Sequence, residues 1–185
     1  MKDFSMYEHA LKAAGAAAED LGAVQHVSRR DYDERQTFSF RARVPVLEYI
    51  SLLIENGLLL RTHRGGRLYA GFQKLSRMEP VVDRYMRIAD VSERVYIFGE
   101  PDWKPPRHPN MRVVELRSGV KLAREWFVVA DSPTMHVALV AVDEEGFDVP
   151  VLEARSFRSF KSSDTKLVDC LAEAAEGLID EALAD

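Results

Sequence analysis

Apolar residues along this chain fall into blocks of two different periods. Tyr7, Leu11, Ala14, Ala18 and Leu21 recur at helical spacing in an alanine-rich stretch, and alanine is the strongest helix former. The spacing predicts a helix over 7–21 that Gly22 ends. Its thin apolar side suits close contact with another helix. Residues 24–37 keep no period and read as a polar connector. Val46, Leu47, Ile50, Leu53 and Ile54 form one stripe over 45–56, opened by Pro45 and closed by Gly57. A short strand at 58–61, a turn at Gly65-Gly66 and a strand over 67–75 follow. Ser76 and Glu79 have the spacing of a capping box. The helix behind them carries Val81, Val82, Tyr85, Met86 and Ala89, with Arg84 and Arg87 on its polar side.

Beyond residue 93 the period shortens. Strands are predicted at 94–98, 111–116, 125–130, 135–143 and 149–157. Asp131-Ser-Pro-Thr is a short turn between two apolar runs and predicts an antiparallel hairpin. Glu144-Glu-Gly146 is a second turn and implies a meander. A closing helix over 164–184 carries Leu167, Leu171, Ala174, Leu178 and Leu183, with Ser162 or Ser163 as cap and Asp164 against the helix dipole. The expected fold is α+β: a mainly antiparallel central sheet of about five to six strands with helices packed on it. Crossover helices have no room among the last strands, which argues against a doubly wound sheet.

Composition sets limits on partners. The 185 residues suffice for one well-cored unit, read as an N-terminal helix and connector over 1–37 followed by a domain over 38–185. A net charge of -5 argues against a nucleic-acid footprint. The basic run 61–67 and the acidic run 143–148 read as solvated loops. The lone Cys170 rules out an internal disulfide and fits a reducing, cytoplasmic compartment. No apolar run approaches the ~20 residues of a membrane span.

The most unusual stretch is Arg94-Val-Tyr-Ile-Phe-Gly-Glu-Pro-Asp-Trp103. A buried strand leads into a loop that Gly99 and Pro101 shape and that runs on to Pro109. Phe98, Gly99, Glu100, Asp102 and Trp103 are candidate ligand contacts, joined by Glu125 and Trp126 on a later strand. Glu100, Asp102 and Glu125 could work as a carboxylate set, but acids on a polar loop are more often solvated. An inward Glu125 would need a partner such as Arg112 or Arg124. His9, His26, His63, His108 and His136 are scattered with no metal spacing, and His136 reads as a structural histidine. Cys170 has the chemistry to attach a bilin, though its helix position suits a small core residue. Gly65-Gly66 beside Arg61, Arg64 and Arg67 could hold a phosphate; a hairpin turn explains it without one. No motif names a cofactor.

Tyr69-Ala-Gly-Phe-Gln-Lys-Leu-Ser76, Arg84-Tyr85, Val95-Tyr-Ile-Phe-Gly-Glu-Pro-Asp102, Glu125-Trp-Phe-Val-Val129 and Phe157-Arg-Ser-Phe160 together resemble the DICT sensory domain over about residues 40–180. The resemblance implies a signal-input module that works with diguanylate cyclases and two-component systems and is often tied to light-responsive regulation. Strand order also resembles a GAF/PAS-like sensor. The family supplies no ligand or catalytic residue to transfer. The expectation is a non-catalytic sensory domain that binds a small ligand or a signalling partner. It is expected to dimerise through its terminal helices. The alternatives are a GAF-like nucleotide or chromophore binder and a small enzyme using carboxylates.

Overall fold

A computed structural model describes residues 1–60 and 65–184. Arg61 and Arg64, expected to flank a phosphate, fall outside the described residues, as does the end of the strand expected at 58–61; Leu58 and Leu59 belong instead to a helix, Val44–Leu59, that continues the apolar stripe. Among the described residues, eight strands form one sheet: β1 (Glu19–Ala23), β2 (Thr37–Arg43), β3 (Arg67–Lys74), β4 (Arg94–Glu100), β5 (Met111–Glu115), β6 (Glu125–Ser132), β7 (Met135–Asp143) and β8 (Ser156–Ser162). Their order is β1-β2-β8-β7-β6-β3-β4-β5. The centre, from β2 through β8, β7 and β6 to β3, is antiparallel. Both flanks are parallel.

The sheet is therefore mixed and larger than the mainly antiparallel five to six strands expected. Helix α4 (Val82–Val91) is the crossover that sets β4 parallel to β3. The proline-rich 101–110 segment makes the next parallel crossing, from β4 to β5, without a helix. At the other flank, α2 (Arg29–Glu34) sits between β1 and β2, inside the stretch read as a connector.

Helices cover both faces. On one, α1 (Met6–Ala14) and α5 (Thr165–Ala184) pack against each other and over β6 and β7. Tyr69, Phe98, Phe127, Val140, Phe160 and Leu171 form that core. On the other, α3 (Val44–Leu59) and α4 cover Phe38, Ala70, Ile97, Val128, Leu139 and Phe157. Alternate residues of the central strands serve opposite cores, as the period of two requires.

Three element boundaries differ from expectation, each for a local reason. Helix α1 stops at Gly15, whose φ of 53° no longer fits a right-handed turn, and 19–23 leave it to pair with β2. Only Met6, Tyr7 and Ala10 of α1 are buried, so a longer helix would have projected into solvent. Helix α3 runs through Gly57, where Met135 packs so closely that an added Cβ would lie 2.8 Å from its terminal methyl. The last strand is Ser156–Ser162 rather than 149–157, because Val151 is exposed while Lys161 is buried. Lys161 Nζ donates to the carbonyls of Tyr32 (2.7 Å) and Arg35 (2.9 Å), which satisfies the end of α2 from within the sheet. Burial lowers its pKa to about 8. The capping box does not form either: Ser76 lies in a 3-10 turn, Leu75–Val81, and bonds Asp102. Asp164 Oδ1 caps α5 at Leu167 N, 2.9 Å away.

Candidate functional site

Helices α3 and α4, the turn Leu75–Val81 and strands β3 and β6 enclose a cavity of about 500 Å³. That size suits a small organic ligand. Leu52, Phe72, Val81, Tyr85, Trp126 and Val128 give it mostly apolar walls. Trp126 is held in place twice. Its Nε1 donates to Ser51 Oγ at 3.1 Å, and its ring meets Phe157 edge-on at 6.1 Å. Phe72 packs edge-on against Tyr85 at 5.2 Å. Such aromatic contacts fix ring orientation beyond simple area burial.

Polar groups converge on the same space. Glu55, buried on α3, accepts from Arg84 Nη1 at 2.7 Å and from Tyr85 Oη at 2.9 Å. Burial raises the Glu55 carboxyl against the lowering pull of these partners, and burial also holds the Tyr85 phenol well above its usual range. Arg84 thus leaves the polar side that helical spacing assigns it. On the sheet side stands Gln73, whose φ of 65° is the only positive value for a non-glycine among the described residues. Strand alternation would turn Gln73 to the face of Tyr69. The left-handed backbone instead brings its amide to Asp143 Oδ2 (3.1 Å) and to Arg155 Nη1 (3.0 Å). Arg155, fully buried, also donates to Asp143 Oδ2 at 2.6 Å and stacks over Phe147 at 4.3 Å. One wall of the cavity is therefore anchored to a buried ion pair.

The residues singled out from sequence separate into three places. Trp126 lines the cavity. Glu125, its neighbour, faces the opposite core and is 1% exposed. Its partner is neither Arg112 nor Arg124 but the start of α1: Ser5 Oγ and the backbone N–H groups of Met6 (2.8 Å) and Tyr7 (3.2 Å) donate to it. Phe98 packs on Phe127, ring centres 5.4 Å apart, in that same core. Gly99 passes the backbone of Leu75 so closely that an added Cβ would sit 3.0 Å from its nitrogen. Glu100 ends β4, paired in register with Lys74. Asp102 accepts from Ser76 N (2.9 Å) and Ser76 Oγ (2.5 Å), tying the loop to the turn Leu75–Val81. Trp103 lies half-buried beneath the loop and lines a separate hollow of about 570 Å³ with Pro105, Pro106 and Met111. Asp102 and Glu125 thus hold structural partners in different parts of the molecule. Cys170 sits between α5 and α1, its Sγ 3.3 Å from His9 Nε2.

Sequence reading missed Ser51, Glu55, Gln73, Asp143 and Arg155. A signal existed for two of them. Ser51 and Glu55 are one turn apart and border the apolar stripe of α3, where polar residues need partners.

The chain belongs to the DICT family, "Sensory domain in DIguanylate Cyclases and Two-component system", whose family model matches residues 47–144, just over half of the chain. Among curated proteins none matches the chain. TrmBL2, an archaeal chromatin protein whose structure shows a novel mode of DNA binding, is similar over 95% of this chain and 59% of its own, at 9% identity and a TM-score of 0.51. Polyphosphate kinase from Porphyromonas gingivalis is similar over 76% of this chain and 23% of its own, at 18% identity and a TM-score of 0.47. The chain thus spans less than two thirds of either protein. The first likeness concerns the fold alone, and the second is too low to carry an argument. Among the described residues no helix is long and apolar enough to cross a membrane.

Proposed function

We propose that the chain is a non-catalytic signal-input domain that takes a small, largely apolar ligand in the cavity between α3, α4 and the sheet. One observation carries this reading: the cavity of about 500 Å³ is apolar-walled, yet Ser51, Glu55, Arg84 and Gln73 converge on it. Trp126 is the contact named from sequence that this cavity retains. The segment from Phe98 to Trp103 belongs to the same reading as a support, because Asp102 ties it to the turn that closes the cavity. A net charge of -5 favours a small molecule over nucleic acid. A visible absorbance that survives purification would mark the ligand as a chromophore and supply the light link. The test is mass spectrometry of small molecules released from freshly purified protein, beside a Leu52→Trp variant that fills the cavity. Wild type should release a compound in stoichiometric amount, and the variant should hold at least tenfold less. Equal release from both, or none from either, sinks the proposal.

Residues 1–37 and 38–185 act in this reading as one unit, with the signal leaving through α1 and α5. These helices pack side by side, and Leu11 and Leu183 are left 36% and 81% exposed. We expect a homodimer through them. Light scattering should give twice the chain mass at micromolar concentration, and Leu11→Glu should shift it to the monomer. A monomeric wild type at high concentration overturns this.

A further inference from the structure

A second cluster lies on the other face of the sheet, away from the cavity. The β6–β7 hairpin sets Asp131 directly opposite His136, and α5 crosses above them carrying Asp169. His136 Nδ1 stands 3.2 Å from Asp131 Oδ1 and 3.6 Å from Asp169 Oδ1. Each residue offers one ligand atom, and the three atoms lie within 4.8 Å of one another. The Nδ1 atom is shut off from solvent and makes no hydrogen bond. Two carboxylate oxygens thus face a buried ring nitrogen without hydrogen-bond geometry. A central cation satisfies all three at once, because it needs no linear N–H···O path.

We propose that Asp131, His136 and Asp169 form a transition-metal site of the zinc class that ties the β6–β7 hairpin to the closing helix. The spacing suits it. With metal–ligand distances of about 2.1 Å, the edge of a tetrahedron is about 3.4 Å. The two N···O separations, 3.2 Å and 3.6 Å, lie on either side of that edge. An imidazole ligand favours zinc, cobalt or nickel over magnesium or calcium, which prefer all-oxygen shells. The fourth position opens into a hollow of about 750 Å³, where Glu173, one turn beyond Asp169, stands at hand. Arg67, the cation that lines this hollow among the described residues, is already engaged by Glu176 (2.6 Å) and Glu93 (3.1 Å), so it does not neutralise the cluster. The histidine spacing along the chain concealed the site, because two of its ligands are aspartates and one comes from a distant helix.

Cobalt(II) titration of the full chain, followed by visible absorption, tests the proposal. A saturable band at one equivalent is expected, with the intensity of a tetrahedral ion and displacement by zinc. Zinc should also raise the melting temperature. His136→Ala should weaken cobalt binding at least 30-fold. Asp169→Asn, on the half-exposed side of α5, should weaken it about tenfold with the fold intact, which keeps the test decisive if the histidine variant misfolds. Absence of a saturable band, or a band of unchanged affinity in the Asp169 variant, overturns the site. In that outcome the three side chains only hold the β6–β7 hairpin against α5.

Discussion

Asp143→Asn should destabilise the protein by about 3–5 kcal/mol, the usual result of breaking a buried ion pair from one side. Arg155 would remain fully buried, with its nearest counter-charge gone. The asparagine keeps an oxygen for the backbone N–H groups of Glu145 (3.0 Å) and Gly146 (2.9 Å), so the turn after β7 should survive. What is lost is the charge that Arg155 and the amide of Gln73 share. At roughly 2–4 °C per kcal/mol for a chain of this size, the melting temperature should fall by about 10 °C. Urea unfolding followed by tryptophan emission measures the loss. Adding Arg155→Met should restore a large part of it, because an apolar side chain removes the stranded charge. A loss below about 1 kcal/mol for the single variant would show that the pair holds little.

The Asp143 carboxyl also sets an acid limit. Burial pushes it up, but the N–H groups of Gly146 and Glu145, the Gln73 amide and Arg155 outweigh that and hold it below its ordinary value. A depressed carboxylate contributes stability above its unfolded pKa, and that contribution fades as pH falls through the folded value.

Much of this architecture is legible in the sequence, and the failures have physical causes. Strands β3, β4, β6 and β7 alternate apolar residues or run wholly apolar, and the Asp131-Ser-Pro-Thr turn fixes the hairpin. Strand β1 gives no such signal. Its five residues are mostly exposed at the edge of the sheet, so pairing with β2, not side-chain burial, makes it a strand. The parallel pairing of β3 with β4 was within reach from the strand–helix–strand order over 67–100, but a strandwise pattern does not say which neighbour a strand takes. The crossing from β4 to β5 is harder still, since a proline-rich loop does the work usually given to a helix. In the cavity, Trp126 is legible as a large aromatic on a buried strand. Arg84 reads as a residue of its helix's polar side and Glu55 as a neighbour of the apolar stripe of α3, and only packing of α3 against α4 joins them. Gln73 is illegible for another reason: its side chain leaves the strand's alternation because its backbone is left-handed, which no residue period reports.

Glu125 should make the protein less stable as pH rises. Burial pushes its carboxyl up to about 7, against the lowering effect of the Ser5 hydroxyl and the backbone N–H groups of Tyr7 and Met6. In the unfolded chain the group titrates near 4.5. The folded state therefore binds the proton more tightly. Its stabilising contribution is complete below about pH 4.5, declines through the interval, and is gone once pH passes the folded value. The difference of about 2.5 units corresponds to about 3 kcal/mol at 1.36 kcal/mol per unit. Glu55 is raised in the same direction, so the pH profile of wild type alone would mix the two groups. Glu125→Gln separates them, since the amide cannot titrate and leaves Glu55 in place. Chemical denaturation between pH 4.5 and 8 should show wild type losing about 3 kcal/mol relative to this variant. If the difference between wild type and Glu125→Gln stays flat across that range, the donors at the start of α1 outweigh burial, and Glu125 is a permanently charged cap.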